Sequence, residues 1–211
     1  MRGQYFSSEK LESLADNLLT RYERETEAVL EPPVSAESVA ENLELNILWD
    51  EIPEEPGTTT HGALVPEKRL IVLNEGRLSL FEDSPELYNT TIAHEIGHWV
   101  LHVDHAALDH ASLPDLAFDS APVPESGLDK RDERNANEFM GYLLMPARLF
   151  LPRLQGLNLQ NWHHLYHLRE TFNVSSTALQ IRLEKLNLTY LDDKRRFHKS
   201  EQEARGQTSL F

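Results

Sequence analysis

The run TIAHEIGHWVLH, residues 91–102, sets His94, Glu95, His98 and His102 into a stretch that otherwise reads as the apolar side of a helix. Residues four apart on an α-helix lie on one face, one turn apart, so His94 and His98 can aim two imidazoles at a single ion. Glu95 sits about 100° round the helix from His94. Its carboxylate is then beside the ion rather than under it, close to a bound water yet consuming no coordination position. Two ligands and a general base in this order are the parts of metal-assisted hydrolysis, and H-E-x-x-H on a helix is the zinc-peptidase signature for that reason. Gly97 falls inside the same helix, where glycine costs ~1 kcal/mol against alanine. Close approach of another backbone, or of a substrate, explains it better than helix formation does.

A catalytic zinc takes a third protein ligand and keeps one position open for water. Asp104 stands six residues after His98, but that type of site needs a glycine where Leu101 stands. His102 lies another turn along the helix, too far along its axis to share an ion with both other histidines. In the segment 130–145, Ala136, Phe139, Met140, Leu143 and Leu144 define a buried face, and Glu133 points to it. A carboxylate aimed into a core must be paired or hold a metal, because burying it alone is costly. Asp132 is nearly as well placed, and spacing alone leaves the choice between the two open. Glu138 falls on the far side and is expected in solvent.

These residues need elements to hold them. The apolar spacing of Leu11, Leu14, Leu18, Leu19 and Tyr22 predicts a first helix over 8–30, stopped by Pro32 and Pro33. Ser35 is the expected cap of a short second helix. LNILW reads as a strand, and GALV and RLIVL flank the turn PEKR as a β-hairpin. Ser84, Pro85 and Glu86 open the helix that carries the histidines. Residues 103–129, with three prolines and a glycine, read as a long functional loop. Helical periodicity returns at 130–145, 159–171 and 175–186. The expected architecture is α+β, mostly helical with a small sheet in the N-terminal half. It divides into an N-terminal helix (1–34), a main domain (35–190) and a polar, poorly ordered tail (191–211).

Composition narrows the function. Among 211 residues, 35 acidic and 20 basic side chains give a net charge of −15, which argues against binding to nucleic acid backbones. With no cysteine, disulfides, thiolate nucleophiles and Cys-based zinc sites are excluded. No apolar leader or membrane-length segment is visible, so a cytoplasmic location and no membrane partner are expected.

TIAHEIGHWVLH together with ERNANEFMGYLLMP resembles the ImmA/IrrE family of metallopeptidases, which pairs an H-E-x-G-H-x-x-x-H helix with a later E-x-x-A-N-x-F…L-L-M-P helix. The resemblance extends over roughly residues 35–190, including the hairpin GALVPEKRLIVLNEG and the closing helix pair. It implies a zincin-like, gluzincin-like fold with one Zn2+ held by His94, His98 and Glu133, and Glu95 as the catalytic glutamate. Mn2+ could take the same ligands. Met140 and Gly141 replace the small residues often found after the family's phenylalanine, and the 103–129 loop is long.

On this reading the metal acidifies a water, and Glu95 takes its proton and passes it to the leaving amine. Asn137, one turn after Glu133, and His102 are expected to support the ligands from behind. Tyr142, Tyr166, His163, His164 and His167 are the unranked sources of an oxyanion-stabilising donor. RLIVLN is expected at a sheet edge, where it could pair with an extended substrate. The resemblance implies a regulatory, site-specific endopeptidase whose partner is a helix-turn-helix transcriptional repressor. Two rivals stand beside it. One is a metal-binding, antitoxin-like interaction protein that does not cut. The other is a DNA-binding regulator using HLRETFNVSSTALQIRL, with Arg182 and Lys185 as its few basic residues.

Overall fold

A computed structural model of the chain describes residues 6–54, 57, 59–110, 130–191 and 197–198. Helix α1 (Ser8–Thr26) starts where the Ser7 side chain accepts a hydrogen bond from the Lys10 amide, and it buries Leu11, Ala15, Leu18 and Leu19. It stops short of Leu30 because Glu27 turns into left-handed backbone, φ 56°, and the Leu30 amide is satisfied instead by the Glu23 carboxylate at 3.1 Å. Helix α2 (Ala36–Asn42) begins at the expected cap, with the Ser35 hydroxyl accepting from the Ser38 amide.

Strands β1 (Asn46–Asp50), β2 (Gly62–Val65) and β3 (Leu70–Asn74) form one sheet in the order β1-β3-β2. β1 runs parallel to β3, and β2 antiparallel to it across the expected hairpin. Leu64 opposes Ile71, and Ala63 opposes Val72. The first pair joins Leu73 in the main core, whereas Ala63, Val65 and Val72 pack with Ile52 on the other face. Burial on both faces explains why RLIVL is apolar throughout instead of alternating. It also corrects one expectation: β3 is the central strand, and β1 and β2 are the outer ones.

After α3 (Leu78–Asp83) comes α4 (Pro85–His102), the helix of the H-E-x-x-H run. Pro85 opens it as expected, but the Ser84 side chain makes no capping bond. Every residue from Thr91 to Trp99 is buried, since α2, the sheet and α6 cover α4 from different sides. The buried Asn89 fixes one of these contacts: its Oδ1 accepts from the Ala36 amide at 2.8 Å, and its Nδ2 donates to the Val34 carbonyl at 3.0 Å.

A short helix α5 (His105–His110) occupies the start of the segment expected to be a loop, and it carries His105 and His110. Residues 111–129 lie outside the described residues. Helix α6 (Lys130–Leu144) follows, then α7 (Ala147–Phe150), α8 (Trp162–Phe172) and α9 (Ser176–Lys185). Across the boundary between the main domain and the region read as a tail, β4 (Tyr190–Leu191) pairs antiparallel with β5 (Phe197–His198); the rest of that tail lies outside the described residues. α1, α4, α6, α8 and α9 share one apolar core that includes Leu19, Ile96, Phe139, Phe172 and Leu183. The fold is α+β and mostly helical, with its three-stranded sheet in the N-terminal half. Among the described residues, no helix is long and apolar enough to cross a membrane.

Candidate metal centre

Helices α4 and α6 cross at Gly97. A Cβ there would stand 3.0 Å from the Ala136 carbonyl oxygen and 3.1 Å from the Ala136 Cα, so the missing side chain is the space in which the second backbone lies. The close approach brings Glu133, in the first turn of α6, over the histidine face of α4. Its Oε2 is 3.3 Å from His94 Nε2, and its Oε1 is 3.3 Å from His98 Nε2. The two imidazole Nε2 atoms are 3.0 Å apart.

These separations fit a divalent ion. Metal–ligand bonds of about 2.0–2.1 Å in a tetrahedron put ligand atoms about 3.3 Å from one another. The donor set is also frustrated without one. The two facing Nε2 atoms bond each other only when one of them carries a proton, and Glu133 Oε1 is buried with no hydrogen-bond partner. Three convergent lone pairs are what a cation satisfies. Burial would raise the Glu133 pKa, but His94 and His98 outweigh it and pull the carboxyl down to about 2. The carboxylate is thus ready to act as an anionic ligand at neutral pH. Among the described residues, His94, His98 and Glu133 are the grouping with ligand atoms close enough to hold one metal.

Residues 53–184, well over half of the chain, match the family model Peptidase_M78, the IrrE N-terminal-like domain. The chain belongs to this M78 peptidase family. The resemblance read from the two helical motifs is borne out, and the family is metal-dependent. No curated protein sequence matches the chain. A solved Mycobacterium tuberculosis transcriptional regulator has a similar fold, with a TM-score of 0.51 at 16% identity over 88% of this chain. The chain spans about half of that protein, 48% of its length.

Around the M78 motif the structure resolves choices that spacing left open. Asp132 and Glu133 face different imidazoles of α4. Glu133 meets His94 and His98, whereas Asp132 Oδ1 lies 3.5 Å from His102 Nε2. His102 is not part of the trio. Its Nδ1 is 3.0 Å from the Nδ1 of His98, on the side of that ring away from the other ligand atoms. Burial lowers the His102 pKa, with His98 acting in the same direction and Asp132 and Glu133 against it. Asp104 lies exposed beyond the end of α4 and outside the grouping.

Asn137 is a correction. Its Nδ2 donates to the backbone carbonyl of Glu133 at 2.8 Å, so it braces the helix turn beneath the carboxylate and does not orient the carboxylate itself. Glu138 is another. It is half-buried, accepting from the Tyr142 hydroxyl at 2.7 Å and from Lys185 at 2.8 Å. Burial pushes the Tyr142 pKa upward, and its bond to Glu138 acts in the same direction.

A cleft of about 570 Å3 opens beside the trio, lined by His94, Glu95 and Glu133 and walled by Leu80, Leu87 and Met140. None of the five tyrosines and histidines named as oxyanion donors lines it. His61 does. Its Nδ1 is buried without a hydrogen bond, and burial lowers its pKa, with Arg77 adding to the effect, which favours the neutral imidazole. His61 precedes β2 by one residue and belongs to no motif; only the packing of β2 on α4 brings it here. Gly62, next to it, permits that packing: a Cβ would meet Thr91 Cγ2 at 2.6 Å and Glu95 Oε1 at 3.6 Å.

Proposed function

We propose that the chain is a zinc-dependent endopeptidase, site-specific and regulatory, and that its substrate is a helix-turn-helix transcriptional repressor. The observation that carries the enzymatic part is the convergence of His94, His98 and Glu133 beside an open cleft, with Glu95 lining that cleft. The family resemblance of the two motif helices supports the repressor as substrate. A cytoplasmic setting belongs to the same reading.

A divalent ion held by the trio, Zn2+ by preference and Mn2+ in its place, supplies Lewis-acid chemistry: it acidifies water and polarises a carbonyl. Glu95 is 2% exposed, lines the cleft and stands outside the ligand trio, and its carboxylate is the group that moves the proton. It accepts one from the attacking water and returns it to the leaving amine. His61, facing the same cleft with its pKa lowered by burial, is the group we assign to donate to the substrate carbonyl. β2 is an outer strand whose first residue lines the cleft. An extended peptide that pairs with it would lie across the trio, a role expected of β3 from the sequence. Leu80, Leu87 and Met140 favour apolar side chains next to the scissile bond.

The DNA-binding reading gains nothing from the geometry. Arg182, one of two cations that a DNA-reading α9 would offer, is buried with its Nε donating to the Met145 carbonyl at 3.0 Å. The other, Lys185, is engaged by Glu138 and the Ser8 hydroxyl. The test is incubation of the zinc-loaded protein with helix-turn-helix repressors from the same genome, following fragments by mass spectrometry. Cleavage at one bond, abolished in Glu95→Gln while zinc content is retained, is expected. Cleavage that survives Glu95→Gln sinks the mechanism, and zinc binding without any cleavage turns the assignment to a non-proteolytic partner protein.

A further inference from the structure

Behind the ligand trio runs a second line of buried polar groups that the proposed reaction does not use. His98 Nδ1 and His102 Nδ1 are 3.0 Å apart, and His102 Nε2 faces Asp132 Oδ1 at 3.5 Å. Both atoms of the second contact are buried without a hydrogen bond that satisfies them. Asp132 and Glu133 are neighbours on α6, about 100° apart round the helix. One carboxylate therefore reaches the front of the imidazole row and the other its back.

The proton positions follow in order. His98 turns its Nε2 to the other two donors, and a nitrogen that ligates a metal carries no proton. The single proton of a neutral His98 is then on Nδ1, where it can only be donated to His102 Nδ1. That nitrogen must accept, so the proton of His102 sits on Nε2 and points at the Asp132 carboxylate. Every donor in the row then faces an acceptor, and the last pair, at 3.5 Å, must draw closer to bond.

We propose that His102 and Asp132 are positioning residues for His98: a carboxylate–imidazole–imidazole relay that fixes its tautomer and ring orientation for the metal. The proposal rests on the metal reading of the trio. A carboxylate behind a ligating histidine raises the basicity of the ligand and holds its ring, and losing such a partner typically costs 10–100-fold in metal affinity. Here the carboxylate acts through a second imidazole, because α6 sets Glu133 and not Asp132 against the first.

Two measurements on the full chain test this, with Zn2+ as the probe. Histidine 15N NMR of the zinc-loaded wild type reads the tautomers directly and needs no variant to fold. His98 is expected protonated on Nδ1, and His102 bare on Nδ1 and protonated on Nε2; a proton on His102 Nδ1 overturns the relay. Chelator competition then compares Zn2+ affinity across variants. His102→Ala is expected to lose 10–100-fold. His102→Asn, whose Oδ1 can take the place of the accepting nitrogen, is expected to recover most of that loss. A loss below tenfold in His102→Ala, or an equal loss in His102→Asn, overturns the relay while leaving the trio in place. Failure of the wild type itself to bind Zn2+ overturns both the relay and the metal reading.

Discussion

Gly97 and Ala136 touch backbone to backbone, and that contact sets the distance between the two histidines and the carboxylate that faces them. An alanine at 97 would bring its Cβ to 3.0 Å from the Ala136 carbonyl oxygen, a crowding that the helices relieve only by moving apart. Removing a helix-interior glycine gains ~1 kcal/mol, while overpacking costs about 1–3 kcal/mol. The gain offsets part of the cost, so Gly97→Ala is expected to lose about 0–2 kcal/mol in urea denaturation. Zn2+ affinity should nonetheless fall, because Glu133 moves away from His94 and His98. A full stability gain with unchanged zinc binding would mean that the crossing has slack.

The second glycine acts on Glu95. Gly62→Ala places a methyl 2.6 Å from Thr91 Cγ2, closer than side-chain carbons come, so β2 must retreat from α4. Peptidase activity is expected to drop more than zinc affinity, since β2 faces the cleft and the candidate ligands belong to α4 and α6. Thr91→Ser removes the colliding methyl. The double variant should recover much of the activity, short of all of it because the Val72 carbonyl would still be 3.2 Å away. A double-mutant cycle on kcat/KM measures the coupling, and additive effects would show that Thr91 is not the obstacle.

These two contacts also explain what could be read from the chain and what could not. The H-E-x-x-H run, the Pro85 start and the apolar face of α6 are local patterns, and local periodicity fixes which face of an element is buried. It does not fix how one helix is turned against another. Asp132 and Glu133 are therefore equivalent by spacing and distinct only once Gly97 seats α6 on α4. Asn137 lies on the expected side of α6, yet it bonds its own helix's backbone, a choice that periodicity does not encode. His61 was out of reach for a similar reason: its part depends on a strand laid across α4. RLIVLN, with its unbroken apolar run, carried the signature of a strand covered on both faces. The expectation of an edge position overlooked that signature, and the structure places the strand in the middle of the sheet.

The loop before β2 carries a pH-dependent tie. Glu54 pairs with Arg77, accepts from the Thr60 amide at 3.0 Å, and accepts from Asn74 Nδ2 at 3.2 Å. Hydrogen bonding from Arg77, and then from the Thr60 amide, pulls its carboxyl from 4.5 down to about 2. A group whose pKa is lower in the folded state stabilises the fold above its unfolded value and loses that contribution as pH falls through the folded one. The tie is therefore complete above pH 4.5 and fades towards pH 2. Glu54→Gln should be less stable than the wild type at pH 7, and the two denaturation midpoints should converge as the pH approaches 2. A gap that persists in acid would assign the effect to packing and not to charge.

Arg182 closes the C-terminal helix pair onto the rest of the molecule. It is 2% exposed, donates to the Met145 carbonyl at 3.0 Å and to Glu12 at 2.5 Å, and lies over the Tyr142 ring at 4.7 Å. A buried cation is costly to desolvate, so an apolar residue of similar volume can replace it at small net loss. Arg182→Met would leave the Met145 carbonyl unsatisfied, worth about 1–3 kcal/mol, but would keep the volume and free Glu12 to rehydrate. Arg182→Ala adds a cavity beside Tyr142. We expect losses of about 1–2 kcal/mol for Met and about 3–4 kcal/mol for Ala in urea denaturation, with zinc affinity unchanged in both. Equal losses would show that the hydrogen bonds alone matter, and a fall in zinc affinity would show that α9 helps to set the position of α6.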